Sequence, residues 1–328
     1  MKSGKGTMVF ADFPLDEAEG AVLAYAVTAG ALTLRKGTVL TREHCAALQQ
    51  AGLTSVLAAR FEPGDIGEDE AAQLIGAALT SQTIHTGTAT TGRINLFASS
   101  TGIFCVDAST IDAVNVYDAR ISLATIRNHM RVEAGQMVAT VKIIPFAVPK
   151  NLVDAICPLL HGQQAMDVKA FRPLRIGLIQ SRLPSIRETV FDKTREVMEK
   201  RVARNGGTLI VEKRVAHDTE ALASAISGIS IGCDILVVFS ASAVADTTDI
   251  VPRSILQSGG EILRIGMPVD PGNLLVLGRR DGKYIIAAPG SARSMRENSL
   301  DWVLDRLMAG IDLNSTDLSR MGVGGLLL

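Results

Sequence analysis

The segment at residues 240–249, SASAVADTTD, combines residue types that can bind an anion. It follows the apolar run DILVVF at residues 234–239, which predicts the main part of a strand, and it precedes a predicted helix around residues 252–257. Backbone amides in such a turn attract anions, and small side chains let a ligand approach the backbone closely. The candidate anion-binding residues in this segment are Ser240, Ala241, Ser242 and Ala243.

Two carboxylates, Asp246 and Asp249, lie in the same segment. Acids beside a phosphate repel it unless a cation lies between them, so we expect both to hold Mg²⁺ and to take part in catalysis. The alternative is that they cap the next helix and that the Ser/Ala run is an ordinary tight turn. The residues alone favour neither interpretation.

Two further loops contain residues suited to a negatively charged ligand. In GMPVDPGN, two prolines fix φ and two glycines permit open backbone angles, so the loop is stiff and can approach a ligand; a plain hairpin connection is the alternative. In PGSARS, the arginine offers a forked donor for phosphate or carboxylate, although a lone arginine is usually a surface residue. The candidates from the two loops are Gly266, Pro268, Asp270, Gly272, Asn273, Pro289, Gly290, Ser291 and Arg293.

Asp218 follows the predicted strand at residues 207–216 and is the third candidate catalytic acid, although a helix N-cap explains it more simply in isolation. Its neighbour His217 is interpreted as a surface histidine. Because ligands bind beyond the carboxyl ends of parallel strands, we expect the candidate loops to meet at one edge of a sheet. None of them matches a P-loop or a GxGxxG fingerprint, which argues against P-loop ATPases and Rossmann dehydrogenases.

The elements that would position these loops alternate between strand and helix over residues 171–312. Five apolar runs predict strands, and residues 297–309 predict a final helix with an i, i+3, i+4, i+7 apolar stripe. Nearly continuous apolar strands between helices indicate a sheet covered on both faces. We therefore predict a three-layer α/β/α domain with a mainly parallel sheet. The predicted strands are residues 174–181, 207–216, 234–241, 259–268 and 283–290.

The preceding residues have different patterns and are predicted to form an α+β region. Residues 1–80 predict a small α/β segment, in which Thr41 caps a short helix and residues 68–79 form another. Residues 81–170 are rich in Thr, Val and Ile with interspersed glycines, which indicates a β-rich α+β region. Residues 313–328 are predicted to be a C-terminal tail.

The composition restricts the classes of partner. Lys and Arg number 33 against 34 Asp and Glu, without a basic run, which argues against nucleic acid as a partner. The four cysteines form no CxxC pair and the five histidines form no zinc pattern. No apolar stretch is long enough to span a bilayer and no signal-peptide pattern opens the chain, so we expect a cytoplasmic protein without a membrane partner.

Six stretches between about residues 62 and 310 resemble the molybdenum-cofactor biosynthesis domain: EPGDIGEDEAA, TGRINL, ATVKIIPFAVP, SASAVADTTDIVP, GMPVDPGNLL and PGSARSMRENSLDWVLDRLMAG. That domain is shared by molybdopterin adenylyltransferase, molybdopterin molybdotransferase and the CinA-type competence-damage proteins. More closely, the chain looks like molybdopterin-binding proteins that are often fused ahead of a cytidylyltransferase-like domain. The sequence ends at GVGGLLL soon after the last predicted helix, so we expect any such domain to lie beyond it.

The resemblance implies roles for the candidate residues. The loop after the third strand would hold the terminal phosphate of molybdopterin, Asp246 and Asp249 would handle magnesium and the nucleotide or molybdate step, and Asp218 would be the other acid. Pro289 and Gly290 match the proline–glycine loop before the last helix. The adenylyltransferases have a glycine- and threonine-rich loop where this chain has SASA, and alanine lacks the positive-φ conformations of glycine.

Three functions follow from this resemblance. The first is a molybdopterin-binding protein of molybdenum cofactor biosynthesis, which would use Mg²⁺ and ATP or another nucleotide for transfer chemistry if it is catalytic. The second is a carrier or sensing module without catalysis, which the missing glycines favour. The third is a CinA-like nucleotide hydrolase, which matches the PVDPGN and PGSARS loops less well. By analogy with related proteins that bury their ligand between subunits, we also expect a homodimer.

Overall fold

A computed structural model describes residues 8–161, 165–229 and 231–328. These residues divide into two compact units. The N-terminal unit contains the described residues of the range 1–100 together with Phe104–Val168, and the C-terminal unit contains Thr101–Ile103 and Lys169–Leu328. The segment boundaries at residues 80, 170 and 312 stay predictions. No helix in the described parts of the chain is long and apolar enough to cross a membrane.

The elements of residues 8–170 are short, and most strands pair antiparallel. In the N-terminal unit, one apolar core draws on residues 13–58 and a second on residues 66–168. In chain order the elements are β1 Val9–Pro14, β2 Val22–Leu23, β3 Val27–Ala29, β4 Leu32–Leu34, α1 Arg42–Gln50, β5 Ser55–Arg60, β6 Asp65–Gly67, α2 Glu68–Ala78, β7 Ile84–Thr86, β8 Arg93–Ala98, β9 Gly102–Val106, α3 Ala108–Tyr117, β10 Ile121–Thr125, β11 Arg131–Val132, β12 Met137–Ile143, β13 Ala147–Pro149, α4 Lys150–Ile156 and β14 Met166–Ala170.

Two helices of the N-terminal unit begin at the residues that the sequence indicates. Thr41 is the N-cap of α1: its hydroxyl accepts from the His44 amide at 3.2 Å, and the His44 ring accepts from the Thr41 amide at 3.3 Å. Helix α2 starts at Glu68 with three acids in its first turn, where they complement the helix dipole. Both predicted helix starts are confirmed.

The C-terminal unit alternates strands and helices around one large sheet. A short 3₁₀ helix, Gly290–Arg293, lies between the last strand and α8. In chain order the elements are β15 Arg175–Arg182, α5 Glu188–Ala203, β16 Thr208–Ala216, α6 Thr219–Ile229, β17 Ile235–Phe239, α7 Ile250–Gln257, β18 Glu261–Ile265, β19 Val276–Arg280, β20 Lys283–Ala288, α8 Ser299–Met308 and α9 Ser315–Ser319.

The sheet is mixed, so the predicted parallel arrangement is confirmed for only part of it. Its strand order is β16-β15-β17-β20-β19-β18; the first four strands are parallel, whereas β19 is antiparallel to both of its neighbours. The reason is the turn Asp281-Gly282, whose residues have φ values of 48° and 76°. Positive φ at both central residues is typical of a two-residue hairpin, which joins antiparallel strands and is too short for a parallel crossover.

Helices pack against both faces of this sheet. Alternate residues of β17 point to opposite sides: Val237 belongs to an apolar core with residues of α5 and α8, whereas Val238 belongs to a second core with residues of α6 and α7. This alternation follows from the two-residue period of a strand. Both faces of β17 are buried, which explains why its sequence is an uninterrupted apolar run.

Candidate functional site

A cavity of about 710 Å³ lies in the C-terminal unit at the carboxyl ends of β17 and β20. Most of the candidate residues from the three loops line it. They are Ser240, Ala241, Ser242, Ala243, Asp270, Gly272, Asn273, Pro289, Gly290, Ser291 and Arg293. The candidates Gly266, Pro268, Asp218, Asp246 and Asp249 are not among the lining residues.

Strand direction brings these loops together. Strands β17 and β20 are parallel neighbours, and Phe239 pairs with Ala288 at their last position, so Ser240 and Pro289 leave the sheet side by side. Strand β18 runs in the same direction as β20 because β19, which lies between them, is antiparallel to both. The loop from β18 to β19 therefore starts at the same edge, and it is both a hairpin connection and a wall of the cavity.

The start of α5 forms a fourth wall that sequence reasoning missed. Ser185, Ile186, Arg187 and Val190 line the cavity next to the three loops. They belong there because β15 is parallel to β17 and ends at the same edge, with Gln180 opposite Phe239. The signal was available, since the run LRIGLIQS was already predicted to be a strand of this sheet.

Arg293 lies in the cavity wall, where its guanidinium is held by neutral groups. It donates to Thr194 Oγ1 at 2.7 Å, to the Ser240 carbonyl at 3.2 Å and to Gln180 Oε1 at 3.3 Å, and it lies 5.0 Å from the Phe239 ring centroid. Burial lowers the pKa of Arg293. Within the described residues, no carboxylate forms a salt bridge with it. The predicted forked donor is thus a partly buried positive charge that has no carboxylate counter-ion within residues 8–161, 165–229 and 231–328.

The turn before Arg293 contains a buried hydroxyl and a position with open space. The Ser291 hydroxyl oxygen is buried and has no hydrogen-bond partner among the residues that the structure describes. At Gly290, an added Cβ atom would meet no heavy atom within 4 Å. The 3₁₀ turn that contains both residues therefore leaves open space at Gly290, and it holds a hydroxyl that is shielded from solvent and has no described partner.

A fully buried arginine of α5 fixes this 3₁₀ turn. Arg201 donates to the carbonyl oxygens of Ala292 and Ser294 at 2.9 and 2.8 Å and to Asp301 Oδ1 at 2.8 Å. Asp301 in turn accepts the amide of Asn298 in the capping box of α8. The turn and the start of α8 are therefore anchored to one guanidinium.

The loop between β18 and β19 is held by backbone contacts on both sides. Gly272 has a φ of 118°, and its carbonyl accepts the hydroxyl of Ser299 at 2.6 Å. The Asp270 amide donates to the Gly325 carbonyl, and the Leu327 amide donates to the Asp270 carbonyl, both at 2.8 Å. Gly266 has a φ of 72°, and its amide donates a hydrogen bond to the Leu275 carbonyl at 2.8 Å, which closes the loop. Pro268 is exposed on the outside of this loop.

The three candidate acids are bonded to backbone amides near helix starts. Asp249 is the N-cap of α7 and accepts the amides of Ile250 and Ala245 at 2.7 and 3.0 Å. Asp246 accepts hydrogen bonds from the amide and the hydroxyl of Thr248, both at 2.7 Å. The hydrogen bond from the Thr248 amide lowers the pKa of Asp246. Asp218 accepts the Ala221 amide at 2.8 Å in the first turn of α6.

These contacts correspond to the helix-cap interpretation of Asp218 and Asp249. Carboxylate oxygens that accept backbone amides have fewer lone pairs left for a cation. Across the residues that the structure describes, no group of three or more His, Cys, Asp and Glu side chains could hold a metal ion. Asp246 and Asp249 thus fit a magnesium ion poorly, and their magnesium role stays a prediction.

His217, which sequence analysis interprets as a surface histidine, is partly buried and contacts two serines beside the cavity. Its Nδ1 lies 2.9 Å from the hydroxyl oxygen of Ser181, and its Nε2 lies 2.9 Å from the hydroxyl oxygen of Ser242. Ser181 ends up beside β17 because β15 and β17 are parallel neighbours. The contacts join the ends of β15, β16 and β17.

Comparisons with known proteins give distant similarities. A family model described as a domain of unknown function, DUF8806, matches residues 12–60, and no curated protein sequence matches the chain. The molybdopterin biosynthesis moea protein from Pyrococcus horikosii is 12% identical with a TM-score of 0.33, covering 94% of this chain and 77% of that chain. Molybdenum cofactor biosynthesis protein B is 12% identical with a TM-score of 0.32, covering 43% and 96%. A molybdenum cofactor biosynthesis protein from Pyrococcus furiosus is 12% identical with a TM-score of 0.27, covering 95% and 65%. The chain is thus similar to solved proteins of molybdenum cofactor biosynthesis, but at TM-scores too low to support a functional argument.

Proposed function

We propose that the C-terminal unit binds molybdopterin in this cavity, with the phosphate beside Arg293, and that the chain acts in molybdenum cofactor biosynthesis. The observation that carries the proposal is the partly buried Arg293 guanidinium without a carboxylate partner among the described residues. An unpaired buried charge costs free energy, and an anionic ligand would remove that cost. Arginine presents its donors in a fork that matches phosphate oxygens.

The lining of the cavity supports a ligand with an anionic end and an apolar body. Its volume of about 710 Å³ is ordinary for a small-molecule site, where volumes of roughly 300–1,000 Å³ are typical. The Ser291 hydroxyl lies in the same turn as Arg293 and has no described partner. Ile186, Val190 and Leu274 contribute apolar surface elsewhere in the lining.

The cavity is proposed to bind molybdopterin without catalysing a transfer reaction. Asp246 and Asp249 do not line the cavity, and their oxygens accept backbone amides, so no step is assigned to a magnesium ion. The described non-glycine residues with positive φ are Thr91, His129 and Asp281, so Ala241 and Ala243 keep an ordinary backbone. These features favour a carrier that holds molybdopterin over an adenylyltransferase. The homodimer and a following cytidylyltransferase-like domain remain part of what is proposed.

Calorimetric titration with molybdopterin tests the binding proposal. Arg293→Met should weaken binding roughly 10- to 100-fold, because a hydrogen bond to a charged group contributes about 1.5–3 kcal/mol. Arg195→Met is the matched control: Arg195 is half exposed on α5, where it pairs with the exposed Glu199 and lies 3.7 Å from the largely buried Glu212, and its loss should leave affinity unchanged. Equal affinities of wild type and Arg293→Met, or no binding by wild type, would contradict the proposal.

Incubation with molybdopterin, ATP and Mg²⁺ separates the carrier from the transferase. A carrier binds molybdopterin with the same affinity whether or not Mg²⁺ is present and forms no adenylate. In that case Asp246→Asn should bind like wild type. Adenylate formation that is lost in Asp246→Asn would instead assign that residue the predicted catalytic role and replace the carrier model.

A further inference from the structure

Two serines and a histidine form a continuous chain of hydrogen bonds that ends at the cavity. The Ala241 amide donates to the Ser181 hydroxyl oxygen at 2.9 Å, Ser181 contacts His217 Nδ1, and His217 Nε2 contacts Ser242, with both side-chain distances 2.9 Å. Ser181 is fully buried, His217 is partly buried and Ser242 is exposed in the cavity lining. This series of hydrogen bonds therefore leads from the interior of the sheet to the cavity.

When the His217 ring is neutral, the available hydrogens fix which atom donates in each of these hydrogen bonds. The Ser181 oxygen already accepts the Ala241 amide, and its own hydroxyl hydrogen needs an acceptor because the side chain is buried. His217 Nδ1 is the acceptor that the described contacts provide, so Nδ1 carries no hydrogen. The other nitrogen must then carry it, since a neutral imidazole has one donor and one acceptor. His217 Nε2 consequently donates to Ser242.

This direction fixes what the Ser242 hydroxyl can do. Its oxygen accepts from His217, so its hydrogen is left to donate elsewhere, and the residue lines the cavity. Two residues earlier, the Ser240 carbonyl accepts from Arg293, so the same short loop joins the positive charge and the oriented hydroxyl. Because the ring donates to Ser242, it does not act as a base that would activate this serine as a nucleophile.

We propose that His217 is a positioning residue that orients the Ser242 hydroxyl to donate a hydrogen bond to an anionic oxygen of the ligand bound beside Arg293. The inference rests on the proposed function and deepens it, since it adds a second, neutral donor to the anion site. A phosphate group has enough oxygens to accept from Arg293 and Ser242 together.

The tautomer of His217 tests the first step without any ligand. Nitrogen-15 NMR of the wild-type protein, at a pH where the ring is neutral, should show hydrogen on Nε2 and none on Nδ1. Ser181→Ala removes the donor to Nδ1 and should reduce the preference for this tautomer. A neutral ring with its hydrogen on Nδ1 would overturn the proposal.

A double-mutant cycle with molybdopterin tests the second step. Ser242→Ala should weaken binding roughly 10- to 100-fold, the range for one hydrogen bond to a charged group. His217→Ala should weaken binding less, and the double variant should bind like Ser242→Ala alone, because the histidine acts only through the serine. His217→Gln keeps an N–H donor and should recover part of the affinity. Additive losses would show an independent structural role and overturn the inference.

The controls separate this inference from the proposed function. If Arg293→Met weakens binding and the cycle shows no coupling between His217 and Ser242, the positioning role fails alone. If the wild-type protein does not bind molybdopterin, the proposed function fails and takes this inference with it. Coupling together with the Nε2 tautomer supports both.

Discussion

Replacing Arg201 with methionine should destabilise the C-terminal unit and loosen the wall of the cavity. The Arg201 side chain is fully buried, and methionine has a similar length without the charge or the donors. The substitution leaves the carbonyl oxygens of Ala292 and Ser294 without this donor, and it leaves Asp301 with Arg204 as the remaining arginine at 2.8 Å. The turn that contains Gly290, Ser291 and Arg293 would lose its anchor to α5.

The expected cost follows from the environment of the guanidinium. Removing one partner of a buried ion pair destabilises a protein by about 3–5 kcal/mol, because the remaining charge is left uncompensated. Arg204 keeps part of the compensation for Asp301, whereas the two orphaned carbonyl groups add desolvation cost. These effects oppose each other, so the total should remain about 3–5 kcal/mol. Arg195→Met removes an exposed i,i+4 pair with Glu199 and a 3.7 Å contact with Glu212, which keeps its pair with Arg214, so it should cost less than about 1 kcal/mol.

Unfolding in guanidinium chloride, followed by tryptophan fluorescence, measures the difference in stability between Arg201→Met and Arg195→Met. The chain has one tryptophan, Trp302, which lies in α8 next to Asp301, so the signal reports the C-terminal unit. The Arg201→Met midpoint should fall well below those of wild type and Arg195→Met, with a similar slope. Equal midpoints for the two variants would refute the claim that Arg201 anchors the turn.

Two further predictions concern the loop at Gly272 and an ion pair at the opposite end of the sheet. Gly272→Ala should destabilise the unit by at least about 2 kcal/mol, because φ is 118° and the new Cβ would lie 2.8 Å from the Ser299 amide nitrogen. The control is Gly290→Ala, where the new Cβ would lie in open space, and this variant should not change the unfolding midpoint. An unchanged midpoint for Gly272→Ala would contradict this account of the loop. Asp234 accepts from Arg175, which lowers the pKa of Asp234, so its stabilisation is present above the unfolded pKa of about 3.9 and is lost as the pH falls through the lower folded pKa. The thermal midpoints of wild type and Asp234→Asn should therefore differ near neutral pH and converge as the pH falls through the folded pKa of Asp234. A difference independent of pH would exclude this role.

The parts of the fold that the sequence predicted are those governed by local periodicity. Strand β17 reads as a continuous apolar run because both of its faces are buried, and α8 shows its apolar stripe because one face meets the core. The hairpin of β19 and β20 was missed, although Asp281-Gly282 is a strong turn signal. The run LLVLGRR before it was not recognised as a strand, so the sheet was expected to have five strands instead of six.

The candidate site was predictable to the extent that strand ends determine it. The loops after β17 and β20 meet because parallel neighbours end at one edge, and this rule needs only the order of the elements. The role of each acid was not predictable, because a carboxylate near a helix start has the same sequence pattern whether it caps the helix or binds a cation. His217 was also beyond sequence reasoning, since its two serine partners lie 36 and 25 residues away.

The mixed sheet does not weaken the anion-site hypothesis, because that hypothesis depends on strand direction and not on which strands pair in parallel. Strand β18 is separated from β20 by the reversed strand β19, yet it runs in the direction of β20. Its carboxyl end therefore reaches the same edge, and the antiparallel β19 begins there. The connection between them places Asp270, Gly272 and Asn273 beside Pro289 in the cavity. A reversed strand at this position thus closes the cavity with a stiff hairpin, where a parallel strand would have required a crossover.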